Sequence, residues 1–540
     1  MPPRVTLPPA PAALALLAAA FVVPGLAGHD LWKSHDAITL GIVHEMALHG
    51  ALLVPSVAGV PFLEDPPLYY WLALGFGALI GPLLEFHAAA RLASGALMFA
   101  AFGFLYLAAR DWSAVEDRRT SAAAAVLILL GSIGLMVHAH EALPELASLA
   151  ALCGALAALP HAARRPLAAG VAFGAALGLA LLAAKWVAPV ALGLAVAAAH
   201  AVCPEWKTRR AAPFLGAALA VAAAVASLWP LALASRHPEL AAAWRSLAFE
   251  PQGEALSNLR YFLSTGSWFA WPAWPLALWA AWSLRRRWSD ARVFVPACAA
   301  VLALGGLVGW GPAQDVSLIP VLAPLSLLAA PGIFALRRGA AAALDWFGML
   351  TFAFFTGLIW LGYIAMMTGV PPRVARNLGR QAPGFEAQLE LWPLAFALAL
   401  AVGWLYLVFF TAPSPMRSVA RWAAGIVLLW GSFAMLWMPW ADHQKSYRSV
   451  AVKLRASVPA GEHCIAQRSL GTAQSAALAY HGGIRTRPFD PVDPQACRLL
   501  LVQGHPSHEY DGPDASWDKL ADVGRPGDKS ERYRLYYLSP

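Results

Sequence analysis

Long runs of apolar residues, separated by short polar stretches, dominate this chain of 540 residues. Thirteen runs reach the roughly 17–25 residues that a helix needs to cross a bilayer. Hydrophobic residues make up 59% of the chain and charged residues 13%, about half the charge of an ordinary soluble domain. The pattern predicts a mainly α, polytopic membrane protein with about thirteen transmembrane helices, at residues 10–28, 89–109, 121–138, 146–162, 166–184, 187–203, 212–234, 268–284, 292–309, 316–336, 346–368, 391–411 and 421–440.

Basic residues are distributed unequally between alternate loops, as the positive-inside rule expects. The two sets separate cleanly if the N-terminus is cytoplasmic and the apolar segment 67–84 lies along the membrane surface instead of crossing it. We therefore predict that the regions 29–88, 235–267, 369–390 and everything after about 441 face the outside. The basic set contains Arg110, Arg118, Arg119, Arg164, Arg165, Lys207, Arg209, Arg210, Arg285, Arg286, Arg287, Arg292, Arg337, Arg338, Arg417 and Arg421.

The net charge of +8 lies largely in those short loops. It therefore indicates topology, and we expect membrane lipids and no nucleic acid as partners. No internal repeat stands out, and the expected oligomeric state is a monomer.

The last hundred residues are richer in Ser, Asp, Gly, Pro and charge than the rest of the chain. Three short runs there, HCIAQR, CRLLLVQG and RYRLYYL, have the composition of strands and lie between turn residues. We predict a transmembrane domain over 1–440, with its active-site loops on the outer face, and a small external α/β domain over 441–540.

The five cysteines form no metal-binding pattern. Cys153, Cys203 and Cys298 lie in or beside apolar segments and are predicted to be small packing residues. Cys464 and Cys497 lie in the predicted external domain. Two outcomes stay open for them, namely a disulfide, which an oxidising compartment would favour, or two free thiols.

Acidic and imidazole side chains are concentrated in the first predicted outer loop, between two apolar segments. Such groups are costly near hydrocarbon and mark a candidate site. Asp36 is a candidate general base for an acceptor, or the N-cap of a surface helix over the following residues. His44 and Glu45 are candidate ligands of a divalent metal ion, although the usual helical zinc spacing is absent; a solvated helix face is the alternative. Glu64 and Asp65 are adjacent acids, and the double proline that follows them starts the predicted surface helix.

Isolated cations and further polar groups lie at the outer ends of other segments. Arg91 and Lys185 either extend to the membrane interface or balance the charge of a phosphate at that depth, and Arg260 belongs to the outer region 235–267. Glu145 follows a polar turn at membrane depth, which places it with the site or in a pair with a neighbour. Tyr69 either anchors the surface helix at the interface or contacts a ligand.

Two stretches of the first outer loop, LWKSHDAIT and VHEMALHGALLVPSVAGVPFLEDPPLYYW, together resemble a known family. They are similar to the first outer loop of the bacterial lipid A aminoarabinose transferases and related protein O-mannosyltransferase-like enzymes. That family has the pattern LW-x-x-DE-x-x-Y, then EM, and later EKPPL-x-YW. The resemblance continues through ARLASG, LPELASLAAL and LLAAKW to SLWPLALASRHPE and WFAWPAWPLALW, and so covers most of the first 285 residues.

The resemblance implies a glycosyltransferase of the GT-C fold in the bacterial inner membrane. Such an enzyme moves a sugar, aminoarabinose or similar, from a polyprenyl-phosphate carrier to a lipid or protein acceptor such as lipid A at the periplasmic face, with inversion. Asp36 matches the acid regarded as catalytic in the family. Donor phosphate and sugar contacts are expected from Arg91, Lys185, Arg260, Glu64, Asp65, Tyr69 and Glu145.

Three positions depart from the family pattern. Ala37 replaces the second acid of the DE pair, Asp65 replaces the lysine of EK, and Glu145 stands where the family usually has Asp. Two other readings therefore stay open, a transporter or flippase of a lipid-linked sugar and a catalytically inactive relative. A transporter would favour internal repeats and mid-membrane charges.

Overall fold

A computed structural model describes residues 5, 7–490, 493, 496–507 and 516–539. Most of the chain is helical, in keeping with the apolar runs of the sequence. The α-helices are α1 Pro11–Val22, α2 His35–His49, α3 Leu68–Ile80, α4 Phe86–Trp112, α5 Arg118–Leu130, α6 Leu135–His138, α7 Pro144–Ala158, α8 Pro166–Ala183, α9 Val187–Val202, α10 Ala211–Arg236, α11 Pro238–Phe249, α12 Ala255–Phe269, α13 Ala273–Ser283, α14 Ala291–Trp310, α15 Leu322–Gly332, α16 Arg338–Thr368, α17 Pro372–Gln381, α18 Leu391–Phe410, α19 Arg417–Leu436, α20 Met438–Lys445, α21 Arg448–Ser457 and α22 Thr472–Gly482.

Within the described residues, seven helices are long and apolar enough to cross a membrane. They are α4, α8, α10, α14, α16, α18 and α19. The predicted membrane helices all fall in helical parts of the structure, but the count of thirteen is not confirmed, because several of the segments are short or interrupted. The chain is nevertheless built as a multi-pass membrane protein.

Two of the predicted spans are broken, and the breaks contact each other. The segment 121–138 is divided into α5 and α6, and the segment 268–284 is interrupted between α12 and α13. The backbone N–H of Ile133 donates to the carbonyl of Trp271 (3.0 Å), and that of Gly134 donates to the carbonyl of Phe269 (2.8 Å). Irregular backbone is tolerated in a membrane domain where protein groups satisfy its hydrogen bonds.

The first outer loop folds into α2, a short hairpin (β1 Ser56–Val57 with β2 Val60–Pro61) and α3. Helix α2 ends at Gly50, whose left-handed backbone (φ 66°) suits glycine. Helix α3 confirms a helix within 67–84. Helix α2 is not the expected surface helix with one solvated face, since it is held between the membrane helices and the C-terminal domain and buries most of its residues.

The C-terminal domain is confirmed as a small α/β unit. Its sheet has the order β4-β3-β5-β7-β6; β3 pairs in parallel with β4 and β5, and β7 pairs antiparallel with β5 and β6. The three predicted strands are present. The two others were missed because one is three residues long and the other contains three charged residues among seven and buries none of its residues fully. The strands are β3 Ile465–Arg468, β4 Thr486–Pro488, β5 Leu499–Gly504, β6 Trp517–Val523 and β7 Arg532–Leu538.

A disulfide joins Cys464 to Cys497 and so links the residues that precede β3 and β5. This decides between the two outcomes that the sequence left open. Cys153 and Cys203 are free and buried, and Cys298 is free and partly buried, as expected of packing residues.

Helix α22 of the C-terminal domain packs directly on α2. A Cβ atom added to Gly41 would lie 2.6 Å from the Cβ of Ala476, so the two backbones approach as closely as glycine permits. Ion pairs surround this contact: Lys33 with Glu531 (2.8 Å) and Arg485 with Glu45 (3.2 Å). The C-terminal domain therefore holds α2 in place.

We expect Gly41→Ala to lower the free energy of unfolding by about 1–3 kcal/mol, because the added methyl group overpacks the contact with α22. Thermal unfolding in detergent measures this. Ala476→Gly in the same chain should restore much of the loss. As a control, Gly75→Ala in α3 meets open space and should be neutral or slightly stabilising. Equal effects of the two substitutions would contradict close packing at Gly41.

Candidate active site

Asp36 and Arg91 form a fully buried ion pair at the start of α2. Both side chains are 0% exposed. Arg91 Nε donates to Asp36 Oδ1 (3.0 Å) and Nη2 donates to Oδ2 (2.9 Å), a two-pronged arrangement. The backbone N–H of Ala142 also donates to Oδ1 (2.9 Å), and that of Trp32 donates to Oδ2 (3.3 Å).

This arrangement differs from both sequence readings of Asp36. Ser34 occupies the N-cap position of α2, so Asp36 lies inside the first turn. Burial alone would raise the pKa of Asp36, but the Arg91 guanidinium outweighs it and lowers the pKa below the ordinary value. Both carboxylate oxygens already accept protein donors. The structure therefore favours a positioning role for Asp36 and Arg91, which join α2, α4 and the turn before α7.

An apolar cavity of about 280 Å³ lies between α8, α9, α10 and α11. Its walls are mostly aliphatic and aromatic, with Trp229, Trp244 and Trp310 among them, and its polar groups include Glu64 and Lys185. Lys185 lies in the break between α8 and α9. Its Nζ donates to Gln314 Oε1 (3.2 Å). The cavity thus combines an apolar wall with a cation.

Three carboxylates gather near Lys185. Glu64 lines the cavity, Asp65 follows it, and Glu145 is in the first turn of α7. Oδ1 of Asp65 is buried and has no hydrogen-bond partner among the described residues. Burial and the neighbouring charge of Glu145 raise the pKa of Asp65 to about 7, although Lys185 acts in the opposite direction. Asp65 is thus a carboxyl group that titrates near neutral pH.

A second polar cluster near this site includes a residue that the sequence reasoning missed. His138 Nδ1 lies 2.7 Å from Glu141 Oε2, and His138 Nε2 lies 3.3 Å from Asp315 Oδ2. His138 and Glu141 belong to the polar turn before Glu145 that the sequence places at membrane depth, whereas no sequence pattern singles out Asp315 and the neighbouring Gln314. The signal available was an acid and an amide in the short gap between two apolar segments, which by itself reads as an ordinary loop.

The architecture is similar to that of solved membrane enzymes. ArnT from Cupriavidus metallidurans in the apo state has a TM-score of 0.67 over 97% of this chain and 96% of that chain, at 19% sequence identity. The same protein bound to undecaprenyl phosphate gives a TM-score of 0.68 at 18% identity, with the same shares covered. The chain has the ArnT fold. This confirms the expected GT-C architecture.

A further similar structure is the archaeal oligosaccharyltransferase AglB from Archaeoglobus fulgidus, in complex with an inhibitory peptide and a dolichol-phosphate. Its TM-score is 0.47 at 13% identity, over 91% of this chain and 68% of that chain. No protein-family model and no curated protein matches the sequence.

Within the ArnT fold of this chain, three expected donor-binding residues, Arg91, Tyr69 and Arg260, lie apart from the cavity, and Arg91 is paired with Asp36 instead. Tyr69 is fully buried, and its hydroxyl lies 2.6 Å from Ser94 Oγ, which donates to the carbonyl of Glu141. Arg260 is exposed on α12 and is not among the residues that line the cavity. Tyr69 therefore supports the turn that carries Glu141, and contacts of Arg260 with a donor stay a prediction.

The residues suggested as metal ligands take other partners in this ArnT fold. Glu45 pairs with Arg485, and the His44 ring packs against Tyr480 (centroids 4.6 Å apart). Among the described residues, the group with metal-ligand geometry is instead Asp30, Glu85 and His87. The Arg448 guanidinium already pairs with Asp30 (2.5 Å) and Glu85 (2.9 Å) there. These contacts favour a structural junction at both places.

Proposed function

We propose that this protein transfers a sugar from a polyprenyl-phosphate carrier to an acceptor at the outer face of the membrane. The observation that carries the proposal is the joining of three features at one place: an apolar cavity, Lys185 at its edge, and a carboxyl group with a pKa near 7 beside it. The ArnT fold, which binds undecaprenyl phosphate in a solved structure, supports the same assignment.

The cavity matches the parts of such a donor. Its aromatic and aliphatic walls suit the first isoprene units of the lipid, and the rest of the tail would extend into the surrounding bilayer. Lys185 is placed to hold the phosphate. As the bond between the anomeric carbon and the phosphate oxygen breaks, negative charge grows on the departing polyprenyl phosphate, and the Lys185 ammonium stabilises that charge.

Asp65 is the residue to which we assign the acceptor's proton. In its ionised form Asp65 removes the proton from the attacking hydroxyl as the new bond to the anomeric carbon forms. Direct displacement inverts the configuration of the sugar. A base is most effective when its pKa lies near the working pH, and Asp65 meets that condition. Asp36, the base expected from the resemblance, would instead hold the turn before α7 in place by accepting the backbone N–H of Ala142.

The carboxylates favour a sugar with a positively charged amine, such as aminoarabinose. Glu64, Asp65 and Glu145 outnumber the single lysine near the cavity, and a protonated amine would balance them. Lipid A, with its phosphates and hydroxyls, is the proposed acceptor. The proposed location is the bacterial inner membrane, with the site and the disulfide-bonded domain in the periplasm, where disulfides persist.

The test is a transfer assay with purified protein in detergent, using undecaprenyl phosphate carrying a radiolabelled sugar, with and without lipid A. Movement of label from the polyprenyl lipid to lipid A supports the proposal, whereas release of label to water alone shows a hydrolase. If label stays on the carrier while the protein moves that carrier across liposome membranes, the protein is a flippase and the proposal fails.

The assay should show a rate that rises about tenfold per pH unit below pH 7 and levels off above it, because only ionised Asp65 accepts the proton. Asp65→Asn should lower the rate by about 10²–10⁴ and abolish this dependence. Glu64→Gln is the matched control, since it removes a neighbouring charge and leaves the base in place. A profile that is unchanged in Asp65→Asn would remove Asp65 from the reaction.

A further inference from the structure

A second, polar cavity of about 540 Å³ lies where four interhelical connections meet. It is bounded by the end of α4 and the start of α5, the turn between α7 and α8, the turn between α9 and α10, and the start of α14. Its lining includes five arginines against two acidic residues, an excess of three positive charges.

The arginines of this cavity are not all neutralised. Arg110 pairs with its neighbour Asp111 (2.7 Å), and Glu205 accepts the backbone N–H of Ala291 (2.8 Å). Arg118 and Arg164, by contrast, form no ion pair within the described part of the chain, and both are exposed. Asp111 is thus paired within the cavity lining and Glu205 with the start of α14, and the guanidinium groups of Arg118 and Arg164 are left without an acidic partner among the described residues.

The cavity is separate from the proposed active site. Arg164 precedes the start of α8, and Lys185 follows its end. The 18 residues of that helix, at about 1.5 Å each, span roughly 27 Å, close to the thickness of the hydrocarbon core. The two cavities therefore lie at opposite faces of the membrane domain.

The surroundings indicate a ligand with both charge and a lipid part. Trp112 and Trp206 line the cavity, and tryptophan is typical of the membrane interface. Leu167 in the first turn of α8 and Leu219 in the third turn of α10 are 62% and 74% exposed and belong to the apolar outer surface beyond the cavity. Basic pockets between membrane helices bind phosphorylated lipid headgroups.

We propose that this cavity binds the phosphate headgroup of an anionic phospholipid from the leaflet opposite the active site. The guanidinium groups of Arg118 and Arg164 would donate charge-assisted hydrogen bonds to the phosphate oxygens. The acyl chains would lie along the exposed faces of α8 and α10. Such a lipid would bridge the four interhelical connections that bound the cavity.

Native mass spectrometry of the detergent-purified full chain tests this, with phosphatidylglycerol and phosphatidylcholine of identical acyl chains as probes. Wild type should retain phosphatidylglycerol over phosphatidylcholine. Replacing Arg118 and Arg164 together by Gln should weaken phosphatidylglycerol retention by roughly tenfold, because each basic residue near a lipid surface contributes a several-fold preference.

The matched control is Arg286→Gln with Arg287→Gln, which removes two exposed arginines from the connection between α13 and α14, outside the cavity lining. It should retain phosphatidylglycerol like wild type. Equal retention by both double variants, or no preference in wild type, would overturn the proposal. If millimolar inorganic phosphate displaces the lipid and raises the melting temperature as much as phosphatidylglycerol does, the site binds free phosphate and the lipid assignment is overturned.

Discussion

Replacing Asp36 by Asn is expected to lower the free energy of unfolding by about 3–5 kcal/mol. The substitution leaves Arg91 fully buried, with one of its two bonds to the Asp36 carboxylate lost and without the charge that compensates it. Loss of activity should follow loss of structure, since Ala142 and the acidic turn beyond it lose an anchor. Thermal unfolding in detergent, monitored together with the transfer rate, measures both effects.

Asp65→Asn is the matched control and should have the opposite effect on stability. The pKa of Asp65 is about 7 in the folded chain and near 3.8 in an unfolded one. The folded state therefore loses stability as the pH rises from about 4 through 7. The neutral amide avoids this cost, so Asp65→Asn should unfold at a higher temperature than wild type at pH 8. A stable but inactive Asp36→Asn would return the catalytic role to Asp36.

Lys185→Ala is expected to lower transfer by about 10²–10³, the usual cost of removing one group that stabilises developing negative charge. The loss should appear mainly in the use of the polyprenyl-phosphate donor, with acceptor saturation little changed. Because Lys185 lowers the pKa of Asp65, the pH profile of the residual activity should also move to higher pH. Steady-state rates over a range of donor concentrations and pH values measure both.

Arg260→Gln provides the comparison for Lys185→Ala. Arg260 was expected to contact the donor, yet it is exposed on α12 and does not line the cavity. Its replacement should change donor use by less than about threefold, as is usual for an exposed charge. Equal losses in the two variants would show that the donor phosphate lies nearer to α12 than the cavity indicates.

Much of the fold could be predicted from the apolar runs and the distribution of arginines. The helices of the membrane domain lie where those patterns indicated, and three strands of the C-terminal sheet lie where strand-like runs stand between turn residues. The breaks at Gly134 and Trp271 could not be predicted, because each interrupted helix depends on hydrogen bonds from the other. The pattern of apolar residues indicates which residues are buried. It does not indicate where two distant segments form backbone hydrogen bonds with each other.

The candidate site was predictable in part. Lys185 and Glu64 line one cavity, and Asp65 and Glu145 are their electrostatic neighbours, as the sequence grouped them. The ion pair of Asp36 could not be predicted. Adjacent residues on a helix point about 100° apart, and the sequence does not show whether the side chain of Asp36 or that of a neighbouring residue faces Arg91. The carboxylate that the family pattern singles out is engaged in an ion pair, while the carboxyl that departs from the pattern has one oxygen, Oδ1, with no hydrogen-bond partner in the described part of the chain.

The charge reversal at Asp65 is therefore consistent with an active enzyme. A lysine is replaced by an acid at this position relative to the family pattern, and one cation remains nearby in Lys185. Burial of Asp65 beside Glu145 raises the pKa of its carboxyl group to about 7, so this group can exchange a proton near neutral pH.

The most direct test of the central claim is a structure of the protein with undecaprenyl phosphate, determined by electron cryomicroscopy in a lipid nanodisc. The account predicts density for the phosphate within hydrogen-bonding distance of Lys185 Nζ, and density for the isoprene units between α8 and α11. Phosphate density beside Arg91 and Asp36, or lipid bound only outside this cavity, would contradict it.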